Sequence, residues 1–233
     1  MLKHLFPNTL KNALILYTLL IATVLLSVLF VDRPLSELMH AQQLSSTWLK
    51  TLSKTPLLLE FLAGLTIFAC ISERFRLRFQ LLALELTLTL ILAFSLRWLG
   101  KILFGRTWPE SWFKQGNGLN PSWITDKVEA FHPFAQGQAY DSFPSGHALL
   151  TFALAFTFWR HSPKLMPLWL GCMAAVIAGQ LSLNYHYLGD LLAGASFGLL
   201  ASQLSLTLHH KLRQFISQHN ASDDTQSRKK NVK

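Results

Sequence analysis

Ala13 to Val31 read ALILYTLLIATVLLSVLFV, nineteen residues without a charged side chain. As a helix rising about 1.5 Å per residue, such a run nearly covers the roughly 30 Å hydrocarbon core of a bilayer. The rest of the chain agrees with it. Of 233 residues, 51% are hydrophobic and 14% charged, and mean hydropathy is +0.30, too apolar for an ordinary soluble domain of this length.

Five further apolar runs follow: Pro56 to Ile71, Phe79 to Leu99, Ala148 to Trp159, Leu165 to Leu183 and Tyr187 to Leu208. The sequence therefore predicts an all-α, polytopic membrane protein with six transmembrane helices. The fourth run is short, and spans the bilayer only if its helix starts back near Pro144, a residue suited to a first helical turn. The first run is long for a signal-peptide core and is followed by Asp32-Arg33-Pro34 rather than a small-residue cleavage pattern, so it reads as an anchor. Cys70 and Cys172 lie inside apolar runs without metal-like spacing and read as packing residues.

Charge sets the expected orientation. Threading six spans from the amino terminus leaves thirteen Lys and Arg residues on the amino-terminal side and six on the other. The positive-inside bias predicts cytoplasmic termini; the expected location is a bacterial inner membrane, with the other face toward the periplasm. The formal charge of +9 is spread over loops and carries no nucleic-acid motif, which argues against a nucleic-acid partner. Residues 1–217 form one membrane domain, and residues 218–233 read as a polar, disordered cytoplasmic tail. The long connection from Gly105 to Ser142 holds Trp108, Trp112 and Trp123 and is expected to lie along the outer bilayer surface as a partial lid.

Three polar clusters interrupt the apolar chain, and the threading brings all three out on one side. The third helix delivers Lys101 and Arg106. Ser142-Phe143-Pro144-Ser145-Gly146-His147 leads into the fourth, and Asn184-Tyr185-His186 precedes Asp190 at the start of the sixth. His186 and Asp190 are spaced i, i+4, so the carboxylate can hold one imidazole nitrogen and leave the other free as nucleophile or base. Pro144-Ser145-Gly146-His147 opens a helix whose free N–H groups and positive dipole end suit an anion, with the Ser145 hydroxyl as an added donor; a plain N-cap would use the same serine. Lys101 and Arg106 supply positive charge where a lipid phosphate sits, although basic residues at helix ends also snorkel to head groups.

At these residues the chain resembles the type 2 phosphatidic acid phosphatase superfamily, which includes membrane lipid phosphate phosphatases and undecaprenyl-diphosphate phosphatases. The family has three motifs: Lys, six residues, then Arg-Pro; Pro-Ser-Gly-His; and Ser-Arg, five residues, His, three residues, Asp. Pro144 to His147 match the second in full, Lys101 and Pro109 match the first, and His186 and Asp190 match the third. Trp108 stands in place of the first arginine, with Arg106 two residues earlier, and Gly179-Gln180 replaces Ser-Arg.

The resemblance implies hydrolysis of a lipid phosphate or diphosphate monoester, of the phosphatidic acid, phosphatidylglycerol phosphate or undecaprenyl diphosphate type. His186 would form a phosphohistidine, Asp190 would orient it, and His147 would protonate the leaving oxygen. Lys101, Arg106, Ser145 and the Gly146 N–H would stabilise the equatorial oxygens. No metal or other cofactor is implied, and the chain has no tight carboxylate cluster or paired-His spacing for one. The implied partners are the lipid substrate and the surrounding membrane lipids. A lipid phosphotransferase using the same intermediate, and a lipid-binding or transport relative that has lost activity, are the alternatives. A Ser145–His186 intramembrane protease would leave Lys101, Arg106, His147 and Asp190 without roles.

Overall fold

A computed structural model describes residues 6–7, 9–112, 114–115 and 118–230, the side chains of 114–115 and 216–230 excepted. The helices are α1 (Leu10–Leu26), α2 (Asp32–Gln42), α3 (Thr47–Ser53), α4 (Thr55–Ala69), α5 (Glu73–Phe104), α6 (Gly146–His161), α7 (Met166–Ser182) and α8 (Leu188–Lys230). A two-stranded antiparallel ribbon, β1 (Lys114–Gln115) and β2 (Gly118–Leu119), and a helical turn at Trp123–Asp126 lie in the long connection between α5 and α6. The backbone of α8 continues through the segment from residue 218 to Lys230 without a break.

The all-α expectation holds, and four to five of the six expected spans are candidates by length and composition among the described residues. Among the described residues, four segments are long and apolar enough to cross a membrane: Leu10–Gln42, Glu73–Phe104, Pro163–Ser182 and Leu188–Phe215. A fifth exists if α3 and α4, bent by 44° where they meet, form one span. The fourth apolar run does not qualify. Its helix, α6, has 16 residues, which at about 1.5 Å each is roughly 24 Å, short of a bilayer core. Ser145 caps it, accepting from the Ala148 N–H at 3.5 Å, so the helix does not extend back through Pro144.

α6 fills the centre of the bundle. Twelve of its residues are buried, and it packs against α4, α5, α7 and α8. A helix apolar on every side suits such a position. The approach of α8 is close because Gly194 and Gly198 face α6: a Cβ on either would come within 2.5 Å of the Ser145 or Leu149 carbonyl oxygen. Small residues let membrane helices meet backbone to backbone. One core cluster joins Leu59, Leu86, Leu154, Trp159, Trp169 and Leu199, and a second, nearer the start of α6, joins Ala93, Leu149, Leu150, Ala153 and Ala201. Several polar groups inside this bundle are paired, although Thr151 Oγ1 of α6 is buried without a partner. Thr89 Oγ1 bonds Thr157 Oγ1 at 3.0 Å and Ser205 Oγ at 2.8 Å, while Glu85 takes both Arg160 and His161. The outer faces of α1 and α4 carry large apolar side chains in the open, Leu25, Phe61 and Phe68 among them, as a lipid-facing surface requires.

Candidate active site

Three helix ends converge where the sequence places them. The carboxyl-terminal part of α5, the start of α6 and the turn from α7 into α8 enclose a cavity of about 350 Å³ that Lys101, His147 and His186 all line. His186 lies just before α8 and Asp190 is in its first turn. The turn is tight enough that Asn184 takes a positive φ of 52°, and the Asp190 carboxylate closes it by accepting from the Tyr187 N–H at 3.2 Å.

Asp190 is fully buried and holds His186 from behind. Its Oδ2 accepts from the Ser142 hydroxyl at 2.5 Å and lies 3.4 Å from His186 Nδ1, which is also 3.5 Å from Ser142 Oγ. With the proton on Nδ1, Nε2 is left as the free nitrogen, the nucleophile's form. Burial pushes the His186 ring below the ordinary histidine value, and the Asp190 hydrogen bond works against that shift. A ring with a lowered value is neutral and reactive above that value, and loses activity as the pH falls through it. The acid limb of kcat/KM is therefore expected below about 6.5. Asp190→Asn removes the group that favours the protonated ring, so the limb should move to still lower pH. A pH–rate profile of the two proteins checks this, and an upward move would contradict it.

Arg106 is not brought into the cavity. Its guanidinium is fully buried behind Asp190, donating to Asp190 Oδ1 at 2.6 Å and Asp32 Oδ2 at 2.7 Å and pairing with Glu129. Burial opposes its charge, yet the three carboxylates outweigh burial and raise it further above the usual arginine range. Asp32 in turn accepts from Ser27 Oγ at 2.7 Å and from the Gly189 N–H at 2.8 Å, an arrangement set by the π-helical turn Ser27–Val31 between α1 and α2. Ser145 is likewise buried behind the cavity wall, as the cap of α6 and a donor from its N–H to the Asp190 carbonyl at 3.0 Å.

The cation that does line the cavity with Lys101 is Arg97, one helical turn earlier on α5. It makes no hydrogen bond or ion pair among the described residues, and it lies against the start of α6: a Cβ on Gly146 would come within 2.6 Å of Arg97 Nε. Sequence reading passed over Arg97 because it sits inside the apolar run Phe79 to Leu99. Its i, i+4 spacing to Lys101 was the available signal. Lys101 donates to the Asp141 carbonyl and faces the Trp108 ring at 5.8 Å.

A family model described as the PAP2 superfamily matches residues 81–214, more than half of the chain. The chain belongs to the PAP2 superfamily. Among curated proteins it is 37% identical over 82 residues to a lipid A 1-phosphatase of Rhizobium johnstonii and 37% identical over 75 residues to one of Rhizobium etli. These alignments take in 33% and 30% of this chain, and 31% and 30% of the relatives, so the chain spans under a third of the curated proteins it matches. No solved structure matches it. With its apolar helices, this PAP2 chain is an integral membrane protein.

The departures from the PAP2 motifs have physical counterparts. Trp108 is buried with its ring centre 4.9 Å from that of His186; its Nε1 donates to the Gln138 carbonyl at 2.7 Å, and its own carbonyl accepts from the Tyr187 hydroxyl at 3.2 Å. An apolar wall thus stands beside the imidazole where the motif has a guanidinium. At Gly179 the backbone of α3 presses in, and a Cβ there would lie 2.4 Å from the Ser53 nitrogen. Gln180 follows it, lining the cavity while its Nε2 donates to the Ser53 carbonyl at 3.3 Å. Trp108 and Trp112, from the connection expected to act as a lid, both line the cavity.

Proposed function

We propose that this PAP2 chain is a metal-independent lipid phosphate phosphatase working through a phosphohistidine on His186. The carrying observation is that His186, backed by Asp190 through Nδ1, opens into the same cavity as His147, Lys101 and Arg97. In the first step His186 Nε2 attacks phosphorus, the bond from phosphorus to the lipid oxygen breaks, and protonated His147 gives that oxygen its proton. In the second, water attacks phosphorus, the bond from phosphorus to His186 Nε2 breaks, the water's proton goes to His147, and phosphate leaves with both histidines restored. Lys101, Arg97 and the N–H groups at the start of α6 meet the negative charge on the equatorial oxygens. Arg106 acts through Asp190 as a positioning residue rather than as a phosphate ligand.

The relatives' name adds lipid A 1-phosphate to the substrates implied by the resemblance. With α6 taken as a crossing inside the bundle, so that the chain passes six times, the excess of basic residues on the amino-terminal side supports cytoplasmic termini and a site facing the periplasm. The test is inorganic phosphate release by purified protein from phosphatidic acid, phosphatidylglycerol phosphate, undecaprenyl diphosphate and lipid A 1-phosphate, each with and without EDTA. Release from at least one, unchanged by EDTA, is expected because protein donors face the phosphate. Activity lost to EDTA and restored by magnesium would contradict the mechanism. Label passing to an added lipid alcohol in place of water would make the chain a phosphotransferase.

A further inference from the structure

A second cavity, of about 240 Å³, shares Arg97, Gly146 and His147 with the catalytic one but does not reach His186. That division has a chemical meaning if His186 attacks phosphorus. In an in-line displacement the leaving oxygen departs opposite the nucleophile, and the group that protonates it must border both spaces. His147 borders both. The remainder of the lipid then extends into the second cavity, whose walls are mainly Pro56 and Leu57 of α4, Phe94 of α5 and Leu150 of α6. Leu57 and Phe94 are largely exposed on the outer surface, so this space adjoins the lipid-facing side of the bundle.

One acidic group lines this apolar space. Glu60 projects from α4, makes no hydrogen bond or ion pair among the described residues, and lies within electrostatic reach of Arg97. A carboxylate in such surroundings accepts a hydrogen bond from a hydroxyl and repels an anion, and the repulsion is strong where little water screens it. Cleaving the terminal phosphate from a diphosphate leaves a lipid monophosphate in this space, beside Glu60. Cleaving a simple monoester leaves an alcohol there.

We infer that the second cavity is the leaving-group subsite and that Glu60 makes it select an uncharged, hydroxyl-bearing leaving group, so that phosphate monoesters are preferred to diphosphates. This rests on the phosphatase reading above. The experiment compares kcat/KM for the monophosphate and diphosphate of one polyprenol in unaltered protein, Glu60→Gln and Glu60→Asp. The unaltered protein and Glu60→Asp should favour the monophosphate by about tenfold or more, and Glu60→Gln should bring the ratio down by a similar factor. A diphosphate preference in the unaltered protein would overturn the inference whether or not the variants fold. So would a ratio that Glu60→Gln leaves unchanged. No phosphate from either substrate, or from any of the lipids above, would defeat the phosphatase reading itself.

Discussion

His186→Ala is expected to abolish turnover of every substrate, while His147→Ala loses the lipid substrates and keeps measurable activity on p-nitrophenyl phosphate. The two histidines share a cavity but differ in setting. His186 is buried, with Nδ1 toward Asp190 and the other nitrogen free, whereas His147 stands at the open mouth of α6 and borders both cavities. A proton donor matters most when the leaving oxygen is strongly basic, as a lipid alkoxide is and a nitrophenolate is not. General acid catalysis contributes about 10²–10⁴-fold, so His147→Ala should lose roughly that on a lipid phosphate and far less on the aryl ester. Asp190→Asn should cost about 10⁴-fold on both, the size seen when an aspartate orienting a catalytic histidine is replaced by its amide. Steady-state kinetics on the two substrate types checks all three variants. Equal losses for His147→Ala on both types would remove it from the leaving-group side.

Arg106→Met is expected to destabilise the fold by about 3–5 kcal/mol, the usual consequence of removing one partner from a buried ion cluster. Asp32, Glu129 and Asp190 converge on this guanidinium, and Asp32 and Asp190 are fully buried. Without it the buried carboxylates of Asp32 and Asp190 lose their shared cation, while Glu129 keeps its pairing with Arg33. Asp190 would also lose the donor that fixes its Oδ1, and His186 its orientation. Arg106→Lys keeps the charge but lacks the planar fork that reaches several carboxylates at once, so it should recover only part of the stability. Thermal unfolding in detergent measures the loss directly. A phosphate ligand would behave differently: its replacement would weaken phosphate binding and leave the unfolding temperature near that of the unaltered protein. That outcome would return Arg106 to the role its position beside the Lys101 motif first suggests.

The legible part of this fold was the part written in local composition. The six apolar runs mark α1, α4, α5, α6, α7 and α8, and threading all six places Lys101, His147 and His186 at one end, where they line one cavity. The position of α6 was legible but not its depth, because a buried central helix and a short spanning helix have the same apolar composition. Arg106 was misleading for a related reason. Its partners are Asp32, 74 residues before it, and Asp190, 84 residues after it, and no spacing rule links them. Arg97 was hidden by an apolar run that reads as lipid-facing throughout. Gly179-Gln180 looks like the loss of a motif, until α3 is seen occupying the space that a side chain at 179 would need.

The central claim is that the phosphoryl group passes through His186, and the most direct measurement is to trap it. Protein turning over a phosphate-labelled lipid is quenched in alkali, digested and mapped for acid-labile, alkali-stable phosphohistidine. The account predicts label on the peptide carrying His186, its accumulation in His147→Ala with an aryl phosphate if hydrolysis of the intermediate becomes limiting, and none in His186→Ala. Label that persists in His186→Ala and disappears in His147→Ala would reverse nucleophile and acid. Phosphate release with no labelled histidine in any variant would contradict the covalent mechanism.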